Sequence, residues 1–102
     1  MEISGKDLQE KIDNGGKIIV EFWAPWCGPC RMMKPVFEKV ASENTTEVQL
    51  YTMDIDSNRE FALSLGVRSI PTIKVFNNKE LKETKVGVLQ ETVVKELIND
   101  LL

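Results

Sequence analysis

Residues 18 to 30 read Ile18-Ile19-Val20-Glu21-Phe22-Trp23-Ala24-Pro25-Trp26-Cys27-Gly28-Pro29-Cys30, and the two ends of this stretch differ in character. Ile18 to Trp23 are β-branched and aromatic with almost no polar alternation, the pattern of a strand covered by helices on both faces. A central parallel strand is expected there. Beyond Pro29, the residues Met33, Phe37, Val40 and Ala41 recur at helical spacing up to about Glu43, with Pro35 inside the run as a kink because it supplies no N–H. The unit is strand, turn, helix, and Trp26-Cys27-Gly28-Pro29-Cys30 occupies the junction.

That junction puts Cys27 at a helix N-terminus and Cys30 about one turn further along. Unsatisfied N–H groups and the positive end of the helix dipole stabilise a thiolate, lowering a cysteine pKa from its reference of about 8.5 toward working pH. Pro29 costs little in the first turn, where its N–H would have no helical partner. Two sulfurs at this spacing can close a disulfide, and one can attack a mixed disulfide held by the other. The alternatives are a zinc half-site or a pair without function. Zinc wants four ligands, whereas the chain offers two cysteines and no histidine, which weighs against the zinc half-site. The lack of histidine also removes Cys–His and Ser–His nucleophile pairs, leaving thiols, carboxylates and amines to do any chemistry.

On the N-terminal side, Ser4 followed by Asp7 resembles a helix start. Leu8 and Ile12 then share a face, and Asn14, Gly15 and Gly16 end the helix. On the C-terminal side, a strand over roughly 48–54 leads through Asp56 and Ser57, as candidate caps, into a helix carrying Phe61, Leu63 and Leu65 and closed by Gly66. This βαβα order implies a right-handed parallel crossover. Residues 72–76, the turn-prone Asn77-Asn78-Lys79 and a weaker strand from about Leu81 to Val86 form an antiparallel hairpin. A last helix over about 91–101 places Val93, Leu97 and Leu101 on one broad apolar face with Val94 and Ile98.

The chain has 102 residues, 42% hydrophobic and 28% charged, which fits one domain spanning residues 1–102. A domain of this size buries roughly 65% of its unfolded surface, so the cysteines are not needed as staples. Thirteen basic against sixteen acidic residues give a net charge of −3 without a basic cluster, so nucleic-acid binding is not expected. Apolar runs last only a few residues and Met1 to Asp7 contain two acids, so neither a membrane span nor a signal peptide is expected. A cytoplasmic location follows as the expectation for a redox cysteine pair in a reducing compartment.

The motifs Glu21-Phe-Trp-Ala-Pro-Trp-Cys-Gly-Pro-Cys30, Ser69-Ile-Pro-Thr72 and Lys85-Val-Gly87 together resemble those of the thioredoxin family over nearly the whole chain. The resemblance implies an α/β thioredoxin fold: a central mixed sheet, made of a parallel βαβ half and an antiparallel ββα half, flanked by helices on both faces. It implies a protein-disulfide reductase in which Cys27 is the exposed nucleophile and Cys30, more buried, resolves the mixed disulfide. It further implies that Pro71 follows a cis peptide bond after Ile70 and faces the sulfurs. Trp26, Gly28, Pro29, Ile70, Pro71 and Gly87 would form the substrate-facing surface, with Trp23 in support. The implied electron source is a thioredoxin reductase, and the resemblance implies no metal and no bound organic cofactor. Implied substrates are oxidised proteins such as ribonucleotide reductase, peroxiredoxin or methionine sulfoxide reductase, met by a monomer.

Two departures from the family pattern fall at one spot. Glu21 stands where the family usually has Asp, as proton acceptor for the resolving cysteine, and Thr52 stands where thioredoxins often place a lysine near that carboxylate. A carboxylate in an apolar strand is desolvated and its pKa raised, which suits a general base near neutral pH. The bland alternative has Glu21 turning its head to solvent or pairing with a lysine. Ser69 replaces a glycine at the groove rim, Lys79 replaces a turn glycine, and Arg31 follows Cys30 where a lysine is common. Met33 reads as core filling and Met32 as a partner-facing residue. The rivals are a disulfide oxidant or isomerase on the same fold, against which Gly28-Pro29 argues, and a binding module whose thiols are incidental.

Overall fold

A computed structural model describes residues 1–102. Ser4 caps α1 (Gly5–Asp13), its side chain accepting from the Asp7 N–H, and Leu8 and Ile12 are its inward face. β1 (Ile18–Trp23) is buried along nearly its whole length, as its unbroken apolar run predicts. α2 (Gly28–Glu43) keeps Pro35 inside it, and β2 (Gln49–Asp54) follows. After α3 (Arg59–Ser64), the hairpin of β3 (Thr72–Asn77) and β4 (Glu80–Val86) leads to α4 (Glu91–Leu101).

The four strands lie in the order β2-β1-β3-β4. β1 is parallel to β2, with Glu21 opposite Thr52, but antiparallel to β3, with Glu21 opposite Ile73. β1 is thus central and parallel to β2 within the mixed sheet that was expected. Its apolar run reports helices on both faces and carries no information on neighbour direction. Those faces are distinct. Ile19, Leu50, Ile73 and Val75 pack with Met33, Phe37 and Val40 of α2 and the inward side of α4. Ile18, Val20, Phe22, Met53 and Phe76 pack with α1 and Ala62 of α3 on the other side. Strand side chains alternate between the faces, so Glu21 and Thr52 lie on the α2 side.

α3 departs from expectation in two ways. Its N-cap residue is Asn58, which makes no side-chain cap bond. Asn58 Oδ1 accepts from the Gly5 N–H at 2.9 Å while its Nδ2 donates to the Asp54 carbonyl at 2.9 Å, so tertiary partners have taken the side chain. Asp56 is engaged elsewhere, as described below. Leu63 is exposed while Phe61 and Leu65 are half-buried. Residues two apart on a helix cannot share a face with both neighbours of the series, and six residues give only one inward side chain, Ala62.

Gly5 is where α1 and α3 meet: a Cβ there would come within 2.7 Å of the Phe61 ring. Gly5→Val is expected to cost about 2 kcal/mol through overpacking, read as a lower urea midpoint with an unchanged denaturant slope. The β3–β4 turn holds Asn78 and Lys79 at φ of 55° and 71°, the left-handed conformation that two-residue hairpins require.

Candidate active site

Cys27 is the N-cap of α2 and its sulfur accepts from the Cys30 N–H at 3.2 Å, so an orphan donor of the first helical turn points at this sulfur. Gly28 and Pro29 occupy the first turn, with Pro29 where no N–H is wanted. The two cysteines are joined as a disulfide with a Cα–Cα separation of 5.2 Å. Both are buried, but unequally. Cys27 is 6% exposed and Cys30 not at all, so only Cys27 meets solvent.

The Ile70–Pro71 peptide bond is cis, as the resemblance implied, and the Ile70 carbonyl oxygen lies 3.7 Å from Cys27 Sγ. Pro71 is buried, Ile70 is half-buried, and Ile70 packs with Ala24, Cys27 and Cys30. The Gly87 N–H donates to the Pro71 carbonyl at 2.9 Å, tying the end of β4 to this loop. Gly87 has φ +103°, a conformation that a side chain would strain. Cys27, Cys30, Ile70, Pro71 and Gly87, separated by up to sixty residues of chain, are thus linked around one disulfide.

Trp26 is 67% exposed beside Cys27, and its indole Nε1 donates to both carboxylate oxygens of Asp56, at 3.2 and 3.0 Å. Asp56 is therefore the anchor of Trp26 and not the cap of α3. Trp26 also borders a groove of about 510 Å³ floored by Ile55, Ala62, Leu63 and Val67 and rimmed by Arg59 and Arg68. Met33 is fully buried, with its sulfur accepting from the Leu89 N–H at 3.1 Å, whereas Met32 is exposed.

Glu21 is completely buried, and neither carboxylate oxygen has a hydrogen-bond partner among the protein groups. The reading in which it turns to solvent or pairs directly with a lysine is thereby excluded. Burial pushes its pKa up to about 8; the Lys34 ammonium pulls it down, while the Glu38 and Glu2 carboxylates push it up. At neutral pH roughly one such group in ten is ionised. Thr52, also buried, brings no charge, and the cation acting on Glu21 comes instead from Lys34 on α2.

The sequence reading did not single out Lys34, Glu2 or Asp56 for the site. Lys34 Nζ sits 4.6 Å from the centroid of the Trp23 ring and pairs with Glu38 at 3.2 Å. Glu2 accepts from the Trp23 indole at 3.1 Å and from the Thr52 hydroxyl at 2.8 Å. Spacing gives no signal for the contacts with Trp23, Trp26 and Thr52, because the partners belong to different elements and lie from 11 to 50 residues apart in the chain. The one hint was a lysine four residues from a glutamate on a helix, which ordinarily marks a solvated pair.

The comparisons agree with this geometry. A thioredoxin family model matches residues 1–100. The chain is 38% identical to a thioredoxin of Rickettsia bellii over 99 residues, covering 96% of this chain and 94% of that one. It is 41% identical to a thioredoxin of Rickettsia typhi, over 88% of this chain and 86% of that one. With a thioredoxin of Haemophilus influenzae the identity is 37%, over 97% and 94%. Among solved structures, a mutant thioredoxin from Halobacterium salinarum superimposes with a TM-score of 0.83 at 33% identity, covering 94% of this chain and 83% of that one.

Proposed function

The chain belongs to the thioredoxin family and is a dithiol oxidoreductase working by thiol–disulfide exchange, and from that premise we propose a reductive cycle in which Cys27 attacks, Cys30 resolves and Glu21 carries the proton. The observation that carries this reading is the Cys27–Cys30 disulfide at the start of α2, with its less buried sulfur beside the Ile70 carbonyl. In the reduced protein, the Cys27 thiolate, favoured by the helix N-terminus, attacks one sulfur of a substrate disulfide. That S–S bond breaks, a Cys27–substrate disulfide forms, and the departing sulfur leaves as a thiolate that takes a proton from solvent. Glu21, as carboxylate, then accepts the Cys30 thiol proton directly or through one water. Cys30 attacks Cys27 Sγ, expelling the second substrate sulfur, and two electrons have passed to the substrate. When a reductase returns two electrons, the protonated Glu21 gives its proton back to Cys30 as that sulfur leaves.

Docking is assigned to Trp26, Gly28, Pro29, Ile70, Pro71 and Gly87. Backbone groups of the 70–71 segment would pair with an extended substrate strand, and Trp26 offers apolar area. The partners proposed are a thioredoxin reductase and oxidised proteins such as ribonucleotide reductase, peroxiredoxin or methionine sulfoxide reductase. The proposed setting is the cytoplasm, with residues 1–102 acting as one monomeric domain. No helix is long and apolar enough to cross a membrane.

The test is the redox equilibrium of Cys27 and Cys30 in graded glutathione buffers, read by thiol trapping with mass spectrometry. The couple is expected on the reducing side of glutathione by more than about 30 mV, a tenfold equilibrium preference. A couple on the oxidising side would replace the reductase with an oxidant or isomerase, and no reversible intramolecular disulfide would leave a binding module.

A further inference from the structure

The N-terminal segment runs along the free edge of β2. The Ile3 N–H donates to the Thr52 carbonyl and the Thr52 N–H donates to the Met1 carbonyl, each at 2.8 Å, in a parallel bridge between Glu2 and Thr52. This register turns the Glu2 carboxylate inward over the edge. Its Oε1 accepts from the Thr52 hydroxyl at 2.8 Å and the Trp23 indole at 3.1 Å, and its Oε2 accepts from the Asp54 N–H at 2.6 Å. Three donors from two strands hold an otherwise exposed side chain in place. Such a clasp fixes where the carboxylate stands.

The clasp lies on the α2 side of the sheet, because Trp23 and Thr52 project to the same face as Glu21, and Thr52 is the cross-strand neighbour of Glu21. The surroundings of Glu21 can therefore be listed by element. β3 offers the apolar Ile73, and β2 offers the neutral Thr52. α2 offers Lys34 with its partner Glu38, and the N-terminal segment offers Glu2. Lys34, over one part of the Trp23 ring, and Glu2, on the indole nitrogen, act on Glu21 with opposite signs.

We propose that Glu2 is a positioning residue of the dithiol centre: clasped by Thr52, Trp23 and the Asp54 amide, its carboxylate places a fixed negative charge near the buried Glu21 and thereby controls when Glu21 can take up the Cys30 proton. The proposal rests on the reading of Glu21 as the group that carries this proton. Glu2 touches neither substrate nor sulfur and acts only through Glu21. The N-terminal strand then has a part in the chemistry as well as in covering the sheet edge.

The test uses the whole chain and two readouts. Side-chain carboxyl carbon NMR of the oxidised protein follows the titration of Glu21, with Glu21→Gln to assign its resonance. Single-turnover reduction of an aromatic disulfide follows the chemistry, since release of the second thiol equivalent reports attack by Cys30. Glu2→Gln keeps size and shape while removing the charge, and is expected to move both midpoints toward acid by about half a pH unit, speeding second-thiol release about threefold below the midpoint. Lys34→Gln is expected to move both toward base. Opposite displacements are not what a general loosening of the fold would produce. Should Glu2→Gln fail to fold, Thr52→Val, which opens the clasp without adding bulk, must show the same acid-ward direction. A Glu21 titration that stays in place, or moves toward base, in the Glu2 variant overturns the proposal and leaves the role of Glu21 intact. A titration that moves while the rate profile does not removes Glu21 from the proton step, and Glu2 with it.

Discussion

A Cys30→Ser protein will stop at the mixed disulfide, holding its substrate covalently on Cys27 and losing about a thousandfold or more of its turnover. The attacking half of the site survives this change. Cys27 remains the N-cap of α2, and the Cys30 N–H that points at its sulfur belongs to the backbone, which serine retains. What disappears is the only group that can expel the substrate, because a hydroxyl at this position is neither nucleophilic enough nor able to form a stable bond to sulfur. Serine buried where Cys30 is wholly enclosed adds a stability cost of about 1–2 kcal/mol, small enough for the protein to fold. The check is non-reducing mass spectrometry of the variant incubated with a disulfide-containing protein. An adduct of one substrate per chain, released by added dithiol, is the expected result. Sustained turnover at the rate of the unaltered protein would refute the assignment of Cys30, and an adduct absent even at stoichiometric substrate would refute that of Cys27.

The oxidised protein is expected to lose stability as pH rises from about 4.5 to about 8, by as much as about 5 kcal/mol, because of Glu21 alone. The sign follows from proton counting. Burial pushes the folded-state pKa of Glu21 up to about 8 from the 4.5 of an unfolded chain, so between these values the native state holds a proton that the unfolded state has released. Stability then falls with pH at about 1.4 kcal/mol per pH unit at most, and levels off above the folded pKa. No hydrogen bond offsets this penalty, since both carboxylate oxygens lack a partner in the protein, and the Lys34 ammonium offsets only part of it. Glu21→Leu, of similar volume and at home among Ile19, Ile73 and Phe37, is expected to remove this slope and to leave the protein several kcal/mol more stable at pH 9 than the parent. Urea unfolding of both oxidised proteins at pH 5, 7 and 9 measures the difference, with the disulfide intact so that no thiol titrates. Parallel stability curves for the two proteins would show that Glu21 is solvated.

The pH dependence and the trapped intermediate concern residues of very different legibility. Cys27 and Cys30 announced themselves by spacing and position, since a CxxC pair between an apolar strand and an amphipathic helix has few other readings. The elements themselves were equally plain. Periods of 2 and 3.6 record which side of each segment is buried, so α1, β1, α2, the β3–β4 hairpin and α4 were all expected at or within a residue or two of their observed bounds. α3 was placed, but its cap and inward face were misjudged. Asn58 and Asp56 serve Gly5 and Trp26, partners that are remote in the chain, and a six-residue helix is too short for periodicity to be decisive.

The sequence by itself therefore determined what each segment is, which face each buries apart from α3, and that two thiols share the start of a helix. Glu21 was legible as an unusual carboxylate in an apolar strand, though not as one whose two oxygens go unpaired. The resemblance already implied a mixed sheet with Pro71 facing the sulfurs; the tertiary structure supplied the contacts that bring this about, with β3 antiparallel beside β1, the Ile70 carbonyl against Cys27 and the Gly87 N–H on the Pro71 carbonyl. It alone decided that Lys34 and Glu2 act on Glu21 from opposite signs of charge. The division has a physical cause. Burial and helix or strand preference are properties of a segment and its own periodicity, whereas a perturbed proton affinity depends on distances between charges and on exclusion of water, which come into being only when segments remote in the chain are packed together.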